Sequence, residues 1–222
     1  RLLKSHIPNL PTKHKPALPR EELPEFYRRL ILATNIERQN KIAIMLVMLV
    51  FVRNNELRGG QWQEVDFKNK RWIIPAERMK HEKMKPKPAL CVPLSDWAIE
   101  LLQELHTLTG YSRFMFPSRT NVNRHISENT LGKIINEKLG YKGKATPHGF
   151  RAVASSLLYE NNFNGGAIEI QLAHVEEDKT KDSYAYMAEY MPQRIEFMQW
   201  YSDYLREQYN QALQMIQESK TD

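Results

Sequence analysis

The feature that most constrains this chain is an eleven-residue apolar run, Ile42 to Val52, bounded by Lys41 and Arg53. A stretch this apolar on every side belongs in an interior rather than on a surface. It is too short for a membrane, where about 20 residues are needed to cross the hydrocarbon. It therefore predicts a buried helix over residues 40–52, around which the other elements must assemble.

The rest of the chain supplies such elements. Leu23, Phe26, Tyr27, Leu30 and Ile31 recur at helical spacing between Arg20 and about Thr34. A short helix is expected through Glu56-Leu57-Arg58. Trp97, Ile99, Leu101, Leu102 and Leu105 mark a further helix that Ser95 can cap and Gly110 stops. Leu131, Ile134, Ile135 and Leu139 mark another, with Ser127 as its expected cap and Gly140 as its stop. Thr146-Pro147 has the form of a helix start, Thr at the cap and Pro at the first helical position. A long C-terminal helix is expected from about Pro192 past Gln214, amphipathic through Ile195, Met198, Tyr201, Leu205 and Tyr209.

Strands are expected at three places. Trp62–Phe67 and Arg71–Pro75 are joined by the polar turn Lys68-Asn69-Lys70, and Ala89–Leu94 forms a third run. The fold class is thus mainly α with a small three-stranded antiparallel sheet. Residues 1–19, with four prolines among lysines and histidines, are expected to form an extended, basic interdomain linker. The absence of an initiator Met fits a chain cut at that linker, with further domains upstream.

Composition narrows the function classes. The net charge of +6 favours a polyanionic partner. The single cysteine, Cys91, leaves no internal disulfide framework and fits a reducing compartment. The acidic residues and histidines are not grouped in a metal-ligand pattern.

Four stretches can carry chemistry. In Thr146-Pro147-His148-Gly149-Phe150-Arg151, residues 148 and 151 share one face of a helix start. Imidazole, guanidinium and the positive end of the helix dipole then converge, which suits a phosphate. A solvated surface pair is the ordinary alternative for such a spacing. Arg53 follows the apolar run with Glu56 three residues on, an acid placed to orient the guanidinium by a charge-assisted hydrogen bond. A simple role at the end of the helix is equally compatible with it. Leu172-Ala173-His174 precedes a tyrosine cluster, Tyr184, Tyr186 and Tyr190, which by itself reads as core packing. The run from Lys80 to Lys87 between the second and third strands reads, alone, as a solvated loop.

As a set, in this order and spacing, these stretches resemble the tyrosine recombinase (phage integrase) family. R-x-x-E-L at 53–57, a lysine between two strands, H-x-x-R at 148–151, L-A-H at 172–174 and a tyrosine ten residues later carry the resemblance. The segments Trp62–Phe67, Ile74–Lys80, Val92–Ser95 and Gln171–Glu176 are similar to its P4-type prophage integrase branch. The resemblance covers about residues 18–205.

The resemblance implies a catalytic domain over residues 20–191, followed by a C-terminal helix and tail over 192–222. It implies a site-specific recombinase that joins a tyrosine to a DNA 3′-phosphate and frees a 5′-hydroxyl, with no metal, nucleotide or other cofactor. Arg53 and Arg151 would clamp the phosphate, and His148 would donate to it or accept the tyrosine proton. His174 would hydrogen-bond a non-bridging oxygen, Lys80 would protonate the leaving 5′-oxygen, and Tyr184 would be the nucleophile. Lys83, Lys85 and Lys87 are rivals to Lys80, as Tyr186 is to Tyr184.

The implied partner is double-stranded DNA at attachment sites, bound by a homotetramer of the full-length protein with accessory DNA-bending proteins. The isolated domain is expected to be monomeric, away from any membrane, in a bacterial cytoplasm and at the nucleoid when bound. An inactive DNA-binding accessory protein and a type IB topoisomerase-like enzyme are the alternatives. The full set of six expected side-chain types argues against the first, and the integrase-like flanking segments against the second.

Overall fold

The computed structural model describes residues 16–79, 89–174 and 190–220. Its centre is helix α2, Arg38–Val50, in which every residue from Ile42 to Val50 is buried. Each fully buried large aliphatic side chain contributes roughly 1.5–3 kcal/mol, so this helix is the principal hydrophobic element. Against it or each other pack α1 (Leu23–Leu32), α4 (Asp96–Thr109), α6 (Gly149–Glu160) and the long α8 (Met191–Glu218). The short helices α3 (Asn54–Arg58), α5 (Thr130–Lys133) and α7 (Gly165–Gln171) complete the shell. Helix α8 lies on α1, α2, α4 and α7 of its own chain. Among the described residues no helix is long and apolar enough to cross a membrane.

Most elements form where their local pattern puts them. Ser95 caps α4 through its hydroxyl, which accepts from the Ala98 N–H at 3.3 Å, and the helix stops at Gly110. The three-stranded antiparallel sheet has the order β1 (Val65–Asp66), β2 (Arg71–Ile74), β3 (Leu90–Pro93), with Trp72 opposite both Val65 and Val92.

The departures have local causes. Residues Trp62–Glu64 wind into a 3-10 turn instead of extending the first strand. The Glu64 carboxylate is buried and accepts from the Gln61 N–H, the Trp72 indole and Arg78, which curls the backbone around it. Helix α5 begins at Thr130, not Ser127, whose hydroxyl is instead paired with the Thr130 hydroxyl. It continues as a π-helical segment, Ile134–Lys138, before the left-handed Gly140. A second antiparallel hairpin, β4 (Pro117–Ser118) with β5 (Asn121–His125), stands where only helices are expected. Its second strand is largely exposed and polar, so no apolar alternation announces it.

The N-terminal end of the described chain is tied down rather than free-running. Leu18 is buried in the core, and the Pro16 carbonyl passes so close to Gly149 that a Cβ there would meet it at 2.1 Å. Glycine is required at this point of the Thr-Pro-His-Gly segment because another backbone occupies the side-chain space.

One stability prediction arises from α1, which packs along α8. The Glu25 carboxylate accepts from Arg28 and Arg29, and the Arg28 hydrogen bond above all holds its pKa down at about 2. A depressed carboxylate stabilises the fold above its unfolded pKa and loses that contribution as pH falls towards its folded one. Glu25→Gln is therefore expected to lower the melting temperature by a few degrees at pH 7, the pair being solvent-accessible and so worth about 1 kcal/mol at most. The difference from the parent protein should shrink below pH 4.5 and be gone only below pH 2, as read by thermal melts across that range.

Candidate active site

Two left-handed turns deliver the candidate residues. At the end of α2, Phe51 adopts φ 59°, a conformation that costs a non-glycine residue roughly 1–2 kcal/mol. Its ring is held in the core edge-on to Tyr201, with centroids 5.0 Å apart. The turn swings the chain so that Arg53 sits at the N-cap of α3 instead of ending α2. At the end of α7, Ala173 adopts φ 52° and the chain turns out to the exposed His174.

Arg151 joins these two turns. It lies in the first turn of α6 and is 5% exposed. One terminal nitrogen donates to the Phe51 carbonyl, and the other to the Leu172 carbonyl at 2.7 Å. One acceptor belongs to the left-handed residue Phe51 itself and the other to the residue before Ala173, so one guanidinium satisfies the carbonyls freed by two strained turns. Burial, and then the neighbouring positive charge of Arg53, lower its pKa to about 10, leaving it charged at neutral pH.

Arg53 is fixed from the other side. Its guanidinium donates to the Glu56 carboxylate at 3.1 Å, and its backbone N–H donates to the other carboxylate oxygen at 2.7 Å. Glu56 is buried, whereas the Arg53 side chain keeps 21% exposure. The acid thus orients the arginine from below while its outer edge faces an open cleft of 880 Å³. His148 lines the same cleft, with Arg78, Lys133 and several asparagines.

His148 already has helical dihedrals (φ −74°, ψ −35°), and the Thr146 hydroxyl accepts from the Gly149 N–H at 2.9 Å. The capping geometry read from Thr146-Pro147 is therefore present, although regular helix begins at Gly149. His174 pairs through Nδ1 with Glu169 at 3.0 Å, and the other oxygen of Glu169 accepts from the Tyr159 hydroxyl at 2.9 Å.

Of the six residues singled out by sequence, Arg53, His148, Arg151 and His174 are described, and they come together around the two turns and the cleft. Lys80 with its rivals Lys83, Lys85 and Lys87, and Tyr184 with its rival Tyr186, lie outside the described residues. Tyr190 is half-buried against the core at the start of α8.

The structure also brings in residues that sequence reasoning did not single out. Arg78 bridges the Glu64 carboxylate and the Glu56 carbonyl, linking the turn before β1 to the floor of the cleft. Glu169 stands five residues before His174, a spacing that no regular helix would place face to face. Only the turn at Ala173 folds the histidine back onto it.

Comparison with known proteins agrees with this architecture. The integrase of Enterobacteria phage P4 is 36% identical over 220 residues, which cover 94% of this chain and 50% of that protein. The integrase of Shigella phage Sf6 is 35% identical over 196 residues, covering 88% of this chain and 49% of that protein. The chain thus spans about half the length of these relatives. Among solved structures, XerA recombinase superposes with a TM-score of 0.56 at 20% identity, over 92% of this chain and 66% of that one. The Tn1549 transposon integrase, in complex with transposon right end DNA, gives 0.59 at 16% identity, over 81% and 68% respectively. These similarities extend the fold likeness well beyond the short motifs. The model of the phage integrase family matches residues 18–190, a span that contains both turns, the arginine between them and the cleft, and the chain belongs to that family.

Proposed function

We propose that this chain is the catalytic part of a site-specific DNA recombinase of a prophage or genomic island, which cleaves and rejoins strands through a 3′-phosphotyrosyl intermediate. The observation that carries the reading is the position of Arg151. It binds the two turns from which Arg53 and His174 emerge, so residues about 120 positions apart serve one centre.

In this mechanism the tyrosine oxygen of Tyr184 attacks the scissile phosphorus and forms a phosphodiester to the DNA 3′ side. The bond to the 5′-oxygen breaks, and that oxygen takes a proton from Lys80. In this reading Arg53 and Arg151 neutralise charge growing on the non-bridging oxygens, Arg151 through guanidinium hydrogens that the Phe51 and Leu172 carbonyls leave unused. His174 donates to one of those oxygens, and His148 takes the phenol proton. The bond energy is kept in the covalent intermediate, so the reverse attack by another 5′-hydroxyl needs no nucleotide. Residues 20–191 are the catalytic domain in this reading, and 192–222 its C-terminal helix and tail. Double-stranded DNA is the substrate, and four copies of the full-length protein assemble on two duplexes.

The test is a nicked duplex carrying the cognate attachment site, incubated with the protein in EDTA and resolved on a denaturing gel. A covalent protein–DNA adduct is expected from the parent protein and from Tyr186→Phe, and none from Tyr184→Phe. An adduct that persists in Tyr184→Phe would move the nucleophile elsewhere. No adduct from the parent protein under conditions where it binds DNA would leave a DNA-binding accessory protein as the reading.

A further inference from the structure

Arg194 occupies a place where an arginine is hard to accommodate. It is fully buried, at 0% exposure, in the first turn of α8. There the positive end of the helix dipole opposes a cation. Among the described residues no carboxylate pairs with it. Among the same residues its terminal nitrogen Nη1 finds no hydrogen-bond partner, and burial lowers the guanidinium's pKa to about 10. Burying such a cation costs several kcal/mol, and an apolar side chain of similar volume would often serve stability as well or better. Its presence at this position therefore calls for a reason other than stability.

Its contacts indicate what. Nε and Nη2 both donate to the Gln171 side-chain oxygen, at 3.0 and 2.7 Å, and Nη2 also donates to the Cys91 carbonyl at 2.6 Å. Gln171, itself fully buried, donates through Nε2 to the Val50 carbonyl at 3.0 Å. Val50 precedes Phe51, and Gln171 precedes Leu172. Arg151 bonds the carbonyls of Phe51 and Leu172, so two bridges run side by side between the same two backbone stretches. One is made by Arg151 on α6. The other is made by Gln171, held in position by Arg194 on α8.

We propose that Arg194 is a positioning residue, acting through Gln171 to hold the turns that present Arg53 and His174 at the separation a DNA phosphate requires. Docking of α8 is thereby coupled to assembly of the site. The same bond joins the two ends of the chain segment that carries Tyr184, since Gln171 precedes that segment and Arg194 follows it. The inference rests on the reading of this site as a DNA-cleaving centre.

The test separates position from stability. Arg194→Met leaves the Gln171 oxygen buried without a donor, and it is expected to lower the melting temperature. Arg194→Met combined with Gln171→Met removes that pair together, but it leaves the Cys91 and Val50 carbonyls without the donors that Arg194 and Gln171 supply. The double variant should therefore melt about as low as Arg194→Met, which strands the Gln171 oxygen and the Cys91 carbonyl. Both variants should form the covalent adduct on nicked DNA about 10–100-fold more slowly in single turnover, with the DNA dissociation constant within threefold of the parent.

Adduct formation within threefold of the parent rate in the double variant, at a temperature where it stays folded, would make Arg194 a purely structural residue and overturn the proposal. So would an Arg194→Met rate within threefold of the parent. If neither Met variant folds, Arg194→Lys serves, since an ammonium retains charge but cannot reproduce the guanidinium's bond geometry. It should be folded and slowed, and a folded Arg194→Lys at the parental rate overturns the inference equally. The parent protein is the control throughout. Its failure to form adduct would count against the functional reading, whereas adduct from the parent with unaltered variants counts against the role of Arg194 alone.

Discussion

Replacing Arg53 with lysine is expected to slow covalent adduct formation by about 10²–10³-fold, the usual loss when one preorganised donor to a developing oxyanion is removed, while DNA affinity changes little. Arg53 reaches the cleft with only part of its guanidinium, because Glu56 holds the rest from the buried side. A lysine offers one compact ammonium in place of a planar fork. It can pair with Glu56 or with a phosphate, but not with both in the arginine's geometry. The backbone bond from residue 53 to Glu56 survives the change, so α3 should stay capped. Single-turnover adduct formation on nicked DNA, beside a binding isotherm at the same salt concentration, reads the two quantities separately. A rate within threefold of the parent would remove Arg53 from the site.

Arg151→Ala should be worse, because it fails in two ways. Activity is expected to fall below detection, and stability should drop by about 2–4 kcal/mol. The loss leaves the Phe51 and Leu172 carbonyls without their donor, at about 1–3 kcal/mol for each buried unsatisfied group. Part of that is offset because a buried cation no longer has to be desolvated. In a chain of this size the net change corresponds to a fall of roughly 4–16 °C in melting temperature. Arg151→Met, which keeps volume but not donors, should melt almost as low, since the carbonyls rather than a cavity dominate the cost. The contrast with Arg53→Lys is the informative part: one arginine is lost from the chemistry alone, the other from the chemistry and from the turns. Calorimetry or thermal circular dichroism checks the stability, and the adduct assay the activity. An Arg151→Ala protein that melts within a degree or two of the parent would show that the two turns hold without it.

These expectations also show which parts of the molecule were legible in advance. Helix α2 could be read from eleven apolar residues because an all-round apolar helix has nowhere to go but the interior. The Ser95 cap and the stop at Gly110 were legible because capping is decided within four residues. The β4–β5 hairpin was not, since β5 is held by backbone pairing and presents mostly polar residues to solvent. Trp62–Glu64 reads as strand from its aromatic, alternating pattern, which is overridden by Glu64, whose partners Trp72 and Arg78 lie further along the chain.

The site divides along the same line. By itself the sequence determined which residue types stand at 53, 148, 151 and 174, and their spacing was enough to identify the family they resemble. It also determined the buried helix that anchors the first of them, because apolar periodicity acts over a few neighbouring positions. Only the tertiary structure decided what those side chains do when folded. The donors of Arg151 act on carbonyls 100 residues before it and 21 after it, and Gln171 meets Val50 across 121 positions. Such bonds depend on two left-handed turns at Phe51 and Ala173, neither of them a glycine that would have marked the spot. A backbone conformation that costs energy locally is held by a partner distant in sequence, and no local pattern records that partner.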